Sequence, residues 1–284
     1  VIYITVLFLF VDYTVVAGSL IKNKQRRLFM FQEEYFALAK AAENKSKFLK
    51  NNPLGYWIAA MLAGIYVGFG ILLIFSAGGM ISSQPYVKII MGISFGIALS
   101  LVIMAGAELF TGNNLVMAGG IFCGTVTLAE TVRLWVICLL GNWAGSILLA
   151  LIFWGAGLTK GPVGEFMATA AATKMAIPLV PLFLRAVLCN ILVCLAIWCG
   201  FRCKSESGKL IMVFWCLFAF ITSGYEHSIA NMTLLTVGIL NPNGAAVSIS
   251  GYFYNILVVT LGNMAGGILF TAVPYYLISR KKEV

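Results

Sequence analysis

The chain of 284 residues is short of charge and has a single histidine, with ten acidic side chains and 10% charged residues in all. So little charge cannot clothe a water-soluble domain of this size. One histidine cannot supply both axial ligands of a haem, which argues against a respiratory membrane-anchor subunit. Cys-x-x-Cys spacing is missing. Cys123, Cys138, Cys189, Cys194, Cys199, Cys203 and Cys216 lie in or beside apolar stretches at steps that wander around a helix, so they read as packing residues and imply neither a metal site nor a disulfide framework. No nucleophile, base and orienting group form a visible set, so no enzyme and no cofactor is implied.

What the chain has is apolar surface: 61% hydrophobic residues and a mean hydropathy of +0.97. Hydropathy predicts spans at Trp57–Ser76, Val87–Cys123, Val132–Trp154, Leu179–Cys199, Leu210–Leu240 and Gly251–Tyr275, the second and fifth of them broken. Of the 19 basic residues, only Lys88, Lys160, Lys174 and Arg185 fall on one side of these spans. The positive-inside rule then puts both termini in the cytoplasm. The net charge of +9 is thereby sorted by topology and does not read as a nucleic-acid surface.

Two polar marks recur 118 residues apart, Gly106–Asn113 (GAELFTGN) and Gly224–Asn231 (GYEHSIAN), which superpose Glu108 on Glu226. Leu140–Gly145 (LGNWAG) is answered by Leu261–Gly266 (LGNMAG). Three spans per copy is an odd number, so the second copy is inverted relative to the first. The expectation is an all-α membrane protein of six transmembrane helices, an inverted 3+3 repeat with two broken helices. Its transmembrane domain covers 53–284, with repeats at about 55–155 and 179–278.

Residues 1–29 fit neither a signal peptide nor an ordinary span, because Asp12 interrupts an apolar run without a basic leader, and they read as an extension ahead of Met30. From 30 to 52, Phe31, Tyr35, Leu38, Ala39 and Ala42 recur at helical steps, which predicts an amphipathic helix lying on the cytoplasmic face.

Irregular backbone at membrane depth is tolerated only where protein or a cavity satisfies it, so matched breaks point to a permeation site. Glu108 and Glu226 are expected to tie each break together by accepting from freed backbone N–H groups, with a direct part in proton transfer along the pore as the alternative. Half-helices resuming at Gly112 and Ser228 aim positive ends at the breaks and favour an anion between them. His227, the lone histidine, lies inside the second break and is the first candidate for proton or hydrogen-bond chemistry. Lys174 reads on its own as an exposed lysine in the loop entering the fourth span.

These motifs, AELFTGN (107–113), EHSIANM (226–232) and the paired LGN strings (140–142, 261–263), resemble the formate–nitrite transporter family. The resemblance implies an aquaporin-like protomer in a homopentamer with one anion path per subunit, surrounded by membrane lipid. It implies that Leu109 forms the cytoplasmic constriction, and that Phe95, Leu99 and Phe220 form the periplasmic one. Thr111 is expected to meet His227, and Asn263 to stand near the pore lining. Lys174 and Asn190 would raise the positive potential. The stretches 108–120, 200–215 and 227–242 look most like the hydrosulfide-channel branch, with formate and nitrite as alternatives, in a prokaryotic inner membrane. An aquaporin would need Asn-Pro-Ala at each half-helix, and the chain offers only Asn241-Pro242-Asn243 in a loop.

Overall fold

A computed structural model describes residues 30–280; the expectation for residues 1–29 lies outside the described residues. Helix α1 (Gln32–Asn51) buries Tyr35, Leu38, Ala39, Ala42 and Leu49, the stripe that the spacing predicts. That stripe rests on protein as well as at the surface of the bundle. Leu38 and Ala42 fill the space that a Cβ would need at Gly119 and Gly120. The Tyr35 hydroxyl donates to the Ala272 carbonyl at 3.1 Å. On the outer face Glu43 accepts from Lys40 at 2.8 Å and Lys47 at 2.5 Å, which holds its carboxyl down to about 2. Exposed pairs of this kind add little stability.

Six helical spans are long and apolar enough to cross a membrane among the described residues. The first is α2 (Pro53–Met80), started by Pro53 and by the Asn52 side chain, which accepts from the Gly55 N–H. The second is composite. It comprises α3 (Val87–Ser94), α4 (Ile97–Leu101) and a wide π-turn over Val102–Gly106, and it is followed by the half-helix α5 (Phe110–Phe122). The third, α6 (Leu128–Gly155), opens on a Thr127/Glu130 capping box.

The second copy repeats this plan. An outlying helix α7 (Gly161–Met175) precedes α8 (Leu179–Arg202), then α9 (Glu206–Ser223) leads to the half-helix α10 (Ser228–Leu240). The last span runs from α11 (Ile249–Gly267) through a π-turn at Ile268–Ala272 into α12 (Val273–Ser279). The wide turn removes the carbonyl clash that Pro274 would otherwise cause in a continuous helix.

Gly106 (φ 80) and Gly224 (φ 74) open the two breaks. Both need the left-handed backbone that glycine alone adopts without strain. Small residues also let the spans close up in the same way in each copy. A Cβ on Gly141 would meet Ala60 and one on Gly262 would meet Ala186, while Gly145 and Gly266 lie against the backbones of Met61 and Val187.

Two expectations need correction. The first half-helix starts at Phe110 rather than Gly112, because the Phe110 N–H already has an acceptor in Asn142. Lys174 lies in the last turn of α7 and not in a loop. The alanine-rich stretch 168–172 that precedes it is strong helix-forming sequence, and it buries Ala168 and Ala171.

Candidate functional site

Each break is held by one asparagine from the third span of its own repeat. Asn142 Oδ1 accepts the Phe110 N–H at 2.9 Å, and its Nδ2 donates to the carbonyls of Ala60 at 2.7 Å and Glu108 at 2.8 Å. Asn263 does the same to Ser228 at 2.9 Å, Ala186 at 2.8 Å and Glu226 at 2.9 Å. The backbone N–H of Glu108 reaches the Ala59 carbonyl at 3.1 Å, and that of Glu226 reaches Arg185 at 3.2 Å. Chain that leaves a helix at membrane depth thus finds partners within the protein. Asn263 is fully buried against the second break.

The carboxylates are tied differently from the expectation. Side chains, not freed backbone N–H groups, are their partners. Glu108 accepts from Lys45 at 2.6 and 2.7 Å, Tyr56 at 3.2 Å and Asn113 at 3.0 Å. Glu226 accepts from Lys174 at 2.7 Å and Asn231 at 2.7 Å. Asn231 also donates to Asn255 at 2.8 Å, and Asn255 donates in turn to the Lys174 carbonyl at 2.8 Å. A carboxylate this deep is stable only while paired; removing one partner of such a pair typically costs about 3–5 kcal/mol. Helices α1 and α7 therefore stand in corresponding places, each ahead of a first span and each lending a lysine to its repeat's break.

Two cavities approach each other through the bundle. One, of about 350 Å³, opens on the α1 side and is lined by Lys45, Glu108, Leu99, Leu109 and Gly112 among others. The other, of about 260 Å³, opens on the α7 side and is lined by Lys88, Phe166, Lys174, Phe220, Tyr225 and His227 among others. Between them lies a space of only about 10 Å³, walled by Val67, Phe95, Ala98, Leu99, Leu109, Val193, Leu217, Phe220 and His227. That is room for about one water molecule. Leu99 and Leu109 border the α1-side cavity and the central space, whereas Phe220 and His227 border the central space and the α7-side cavity. Leu99 thus stands beside Leu109 rather than only with Phe95 and Phe220. The rings of Phe95 and Phe220 meet edge to face at 5.5 Å, and Phe220 stacks on His227 at 6.0 Å.

His227 joins the two repeats. Its Nδ1 accepts the Ala230 N–H at 3.1 Å and so caps α10. An acceptor Nδ1 leaves the ring proton of the neutral imidazole on Nε2. Nε2 lies 3.0 Å from Thr111 Oγ1. Asn190 Nδ2 donates to the carbonyls of Thr111 at 3.3 Å and Asn263 at 2.7 Å, so Asn190 braces the His227–Thr111 pair from behind while Lys174 pairs with Glu226.

Four positions that hold the breaks escaped the reading of single residues. Asn142 is the exact counterpart of Asn263, and the duplicated LGN string was its signal. Asn113 and Asn231 were marked by the same 118-residue spacing. Lys45 carried no signal, since nothing local to α1 announces a partner 63 positions away.

A sequence model of the family described as "Formate/nitrite transporter" matches residues 32–277. The nitrite transporter NirC of Salmonella typhimurium is 40% identical over 256 residues, covering 89% of this chain and 94% of that protein. A solved structure described as "FNT family ion channel" superposes with a TM-score of 0.84 at 38% identity, covering 88% of this chain and all of the other. A "pentameric formate channel with formate bound" superposes with a TM-score of 0.73 at 28% identity, covering 81% and 98%. These relatives are transporters and channels rather than enzymes, and the two broken helices, the paired asparagine clamps and the closed apolar centre described above fit that company; this multi-pass membrane protein belongs to the formate/nitrite transporter family.

Proposed function

We propose that the chain conducts the monovalent anion of a small weak acid, nitrite first, and that the anion crosses the apolar centre only as its hydrogen-bonded or protonated form. The observation that carries this reading is the place of His227, whose Nε2 faces Thr111 at 3.0 Å at the edge of a central space of about 10 Å³. An ion cannot keep its water in so tight an apolar gap, and losing that water unpaired is prohibitive. A neutral acid crosses far more cheaply. The anion takes a proton from vestibule water, passes His227 as the acid and returns the proton on the far side. His227 donates a hydrogen bond from Nε2 while its Nδ1 stays committed to the α10 cap. Between passages the same Nε2–H rests on Thr111 Oγ1 and leaves it for the anion, and Asn190 holds the turn that carries Thr111. Phe95 and Phe220 close the α7 side, and Leu99 and Leu109 close the α1 side.

Nitrite leads because the relative at 40% identity is a nitrite transporter. Hydrosulfide is the second reading, favoured by the narrowness of the centre, which suits the smallest anion best. Formate is the third. Uptake of all three into proteoliposomes, each against chloride, ranks them directly; chloride moving as fast as any of them would overturn the weak-acid reading.

Assembly as a homopentamer is part of the proposal, supported by the pentameric formate channel to which the chain is similar. Native mass spectrometry should give five chains of 30.7 kDa. A bacterial inner-membrane location with both described ends on the cytoplasmic side is supported by the basic-residue bias. Reporter fusions on the loop after α2 and at the end of α12 should report opposite compartments.

A further inference from the structure

Both vestibules contain a lysine, and in both that lysine is already spoken for. Lys45 sits on Glu108 and Lys174 on Glu226, so each pair carries no net charge. The α7-side vestibule has one cation more. Lys88 lines it, is exposed, and has no ion pair among the described residues. Glu165, the acidic residue of α7, is exposed and does not line this cavity. Lys88 also sits in the first turn of α3, whose start has neither an acidic residue nor a side-chain cap. A cation there opposes the helix dipole and does the helix no service. Its charge and the positive end of α3 add at the same mouth.

Resting on the proposed anion path, we propose that Lys88 is an outer collecting site for small monovalent anions at the α7-side mouth of the path. Lys174, by contrast, shapes the inner wall through Glu226. One unit charge acting across roughly 7 Å of water changes the local anion concentration about threefold. That effect fades as salt shortens the Debye length from about 30 Å at 0.01 M to about 3 Å at 1 M. Lys88 is a positioning residue and touches none of the groups at the centre.

The test is initial nitrite uptake into right-side-out and everted membrane vesicles, at about 0.01 M and about 0.5 M ionic strength. The proteins are wild type, Lys88→Gln, Lys88→Glu and Lys88→Arg. At low salt Lys88→Gln should slow flux from the α7 side about threefold and Lys88→Glu about tenfold, Lys88→Arg should match wild type, and all should converge at high salt. Flux from the α1 side should change less. Equal low-salt rates for Lys88→Gln and wild type overturn the collecting role while leaving the anion path intact. A loss that persists at high salt and that Lys88→Arg does not repair overturns it in favour of a structural lysine. A wild type that carries no nitrite, formate or hydrosulfide overturns both proposals together.

Discussion

The two breaks share a scaffold and differ in what the scaffold presents. In the first, the residue before the half-helix is Leu109; in the second it is His227, at the corresponding position 118 residues on. Leu109 has no side-chain atom to cap α5, whereas His227 caps α10 through Nδ1. One break therefore contributes an apolar barrier and the other a barrier with a hydrogen-bond donor. The asparagine clamp recurs in both breaks, whereas the imidazole stands in the second alone. The frame is duplicated, and the two copies diverge at the position that faces the central space.

The largest effect should come from removing the shared part. Asn142→Leu and Asn263→Leu each strand three backbone groups, at about 1–3 kcal/mol for each unsatisfied group. Both variants should fail to accumulate as folded protein, as read by fluorescence size-exclusion chromatography. If one folds normally, the two breaks are not equivalent.

The ion pairs come next. Glu226→Gln leaves Lys174 beside a neutral amide and should destabilise more than Glu108→Gln, because the Glu226 side chain is 3% exposed and that of Glu108 12%. Pairing Glu226→Gln with Lys174→Met should recover much of the thermal stability lost by the single variant. No recovery would mean that Lys174 and Glu226 act separately.

His227 separates capping from conduction. Asparagine is a favourable helix cap and leucine is not, so His227→Leu should be about 1 kcal/mol less stable than His227→Asn. His227→Leu should also carry less nitrite than His227→Asn at every pH between about 5 and 8, since only the amide can donate a hydrogen bond to the passing anion. Nitrite flux through both variants equal to that of wild type would make His227 a cap and nothing more.

The smallest effect is expected at the apolar walls. Leu109→Ala and Phe220→Ala each widen one side of the central space while the other side stays closed. Chloride leak should rise only modestly in either single variant and clearly in the double variant, measured by vesicle swelling. A large leak from Leu109→Ala alone would place the whole barrier on the α1 side.

Much of this frame is legible in the sequence, for a physical reason. Polar residues in an apolar span are conspicuous, so Glu108, Glu226, His227 and both LGN strings stand out, and their recurrence at offsets of 118 and 121 residues discloses the repeat. Partners that lie far along the chain leave no such trace. Lys45 and Tyr56 on Glu108, and Asn255 on Asn231, follow from packing alone. Lys174 was misplaced in a loop because a short alanine-rich helix between spans lacks the strong apolar periodicity that marks a buried one. The start of α5 was misjudged by two residues because its cap comes from Asn142 on another helix.

The central claim is that the closed apolar centre admits a weak acid and rejects a permanently charged ion. Stopped-flow uptake of nitrite and of chloride into proteoliposomes, across about pH 5 to 8, tests it most directly. The account predicts nitrite uptake that climbs as pH falls and chloride uptake close to that of protein-free vesicles. Chloride moving at the nitrite rate, with neither rate depending on pH, would contradict it.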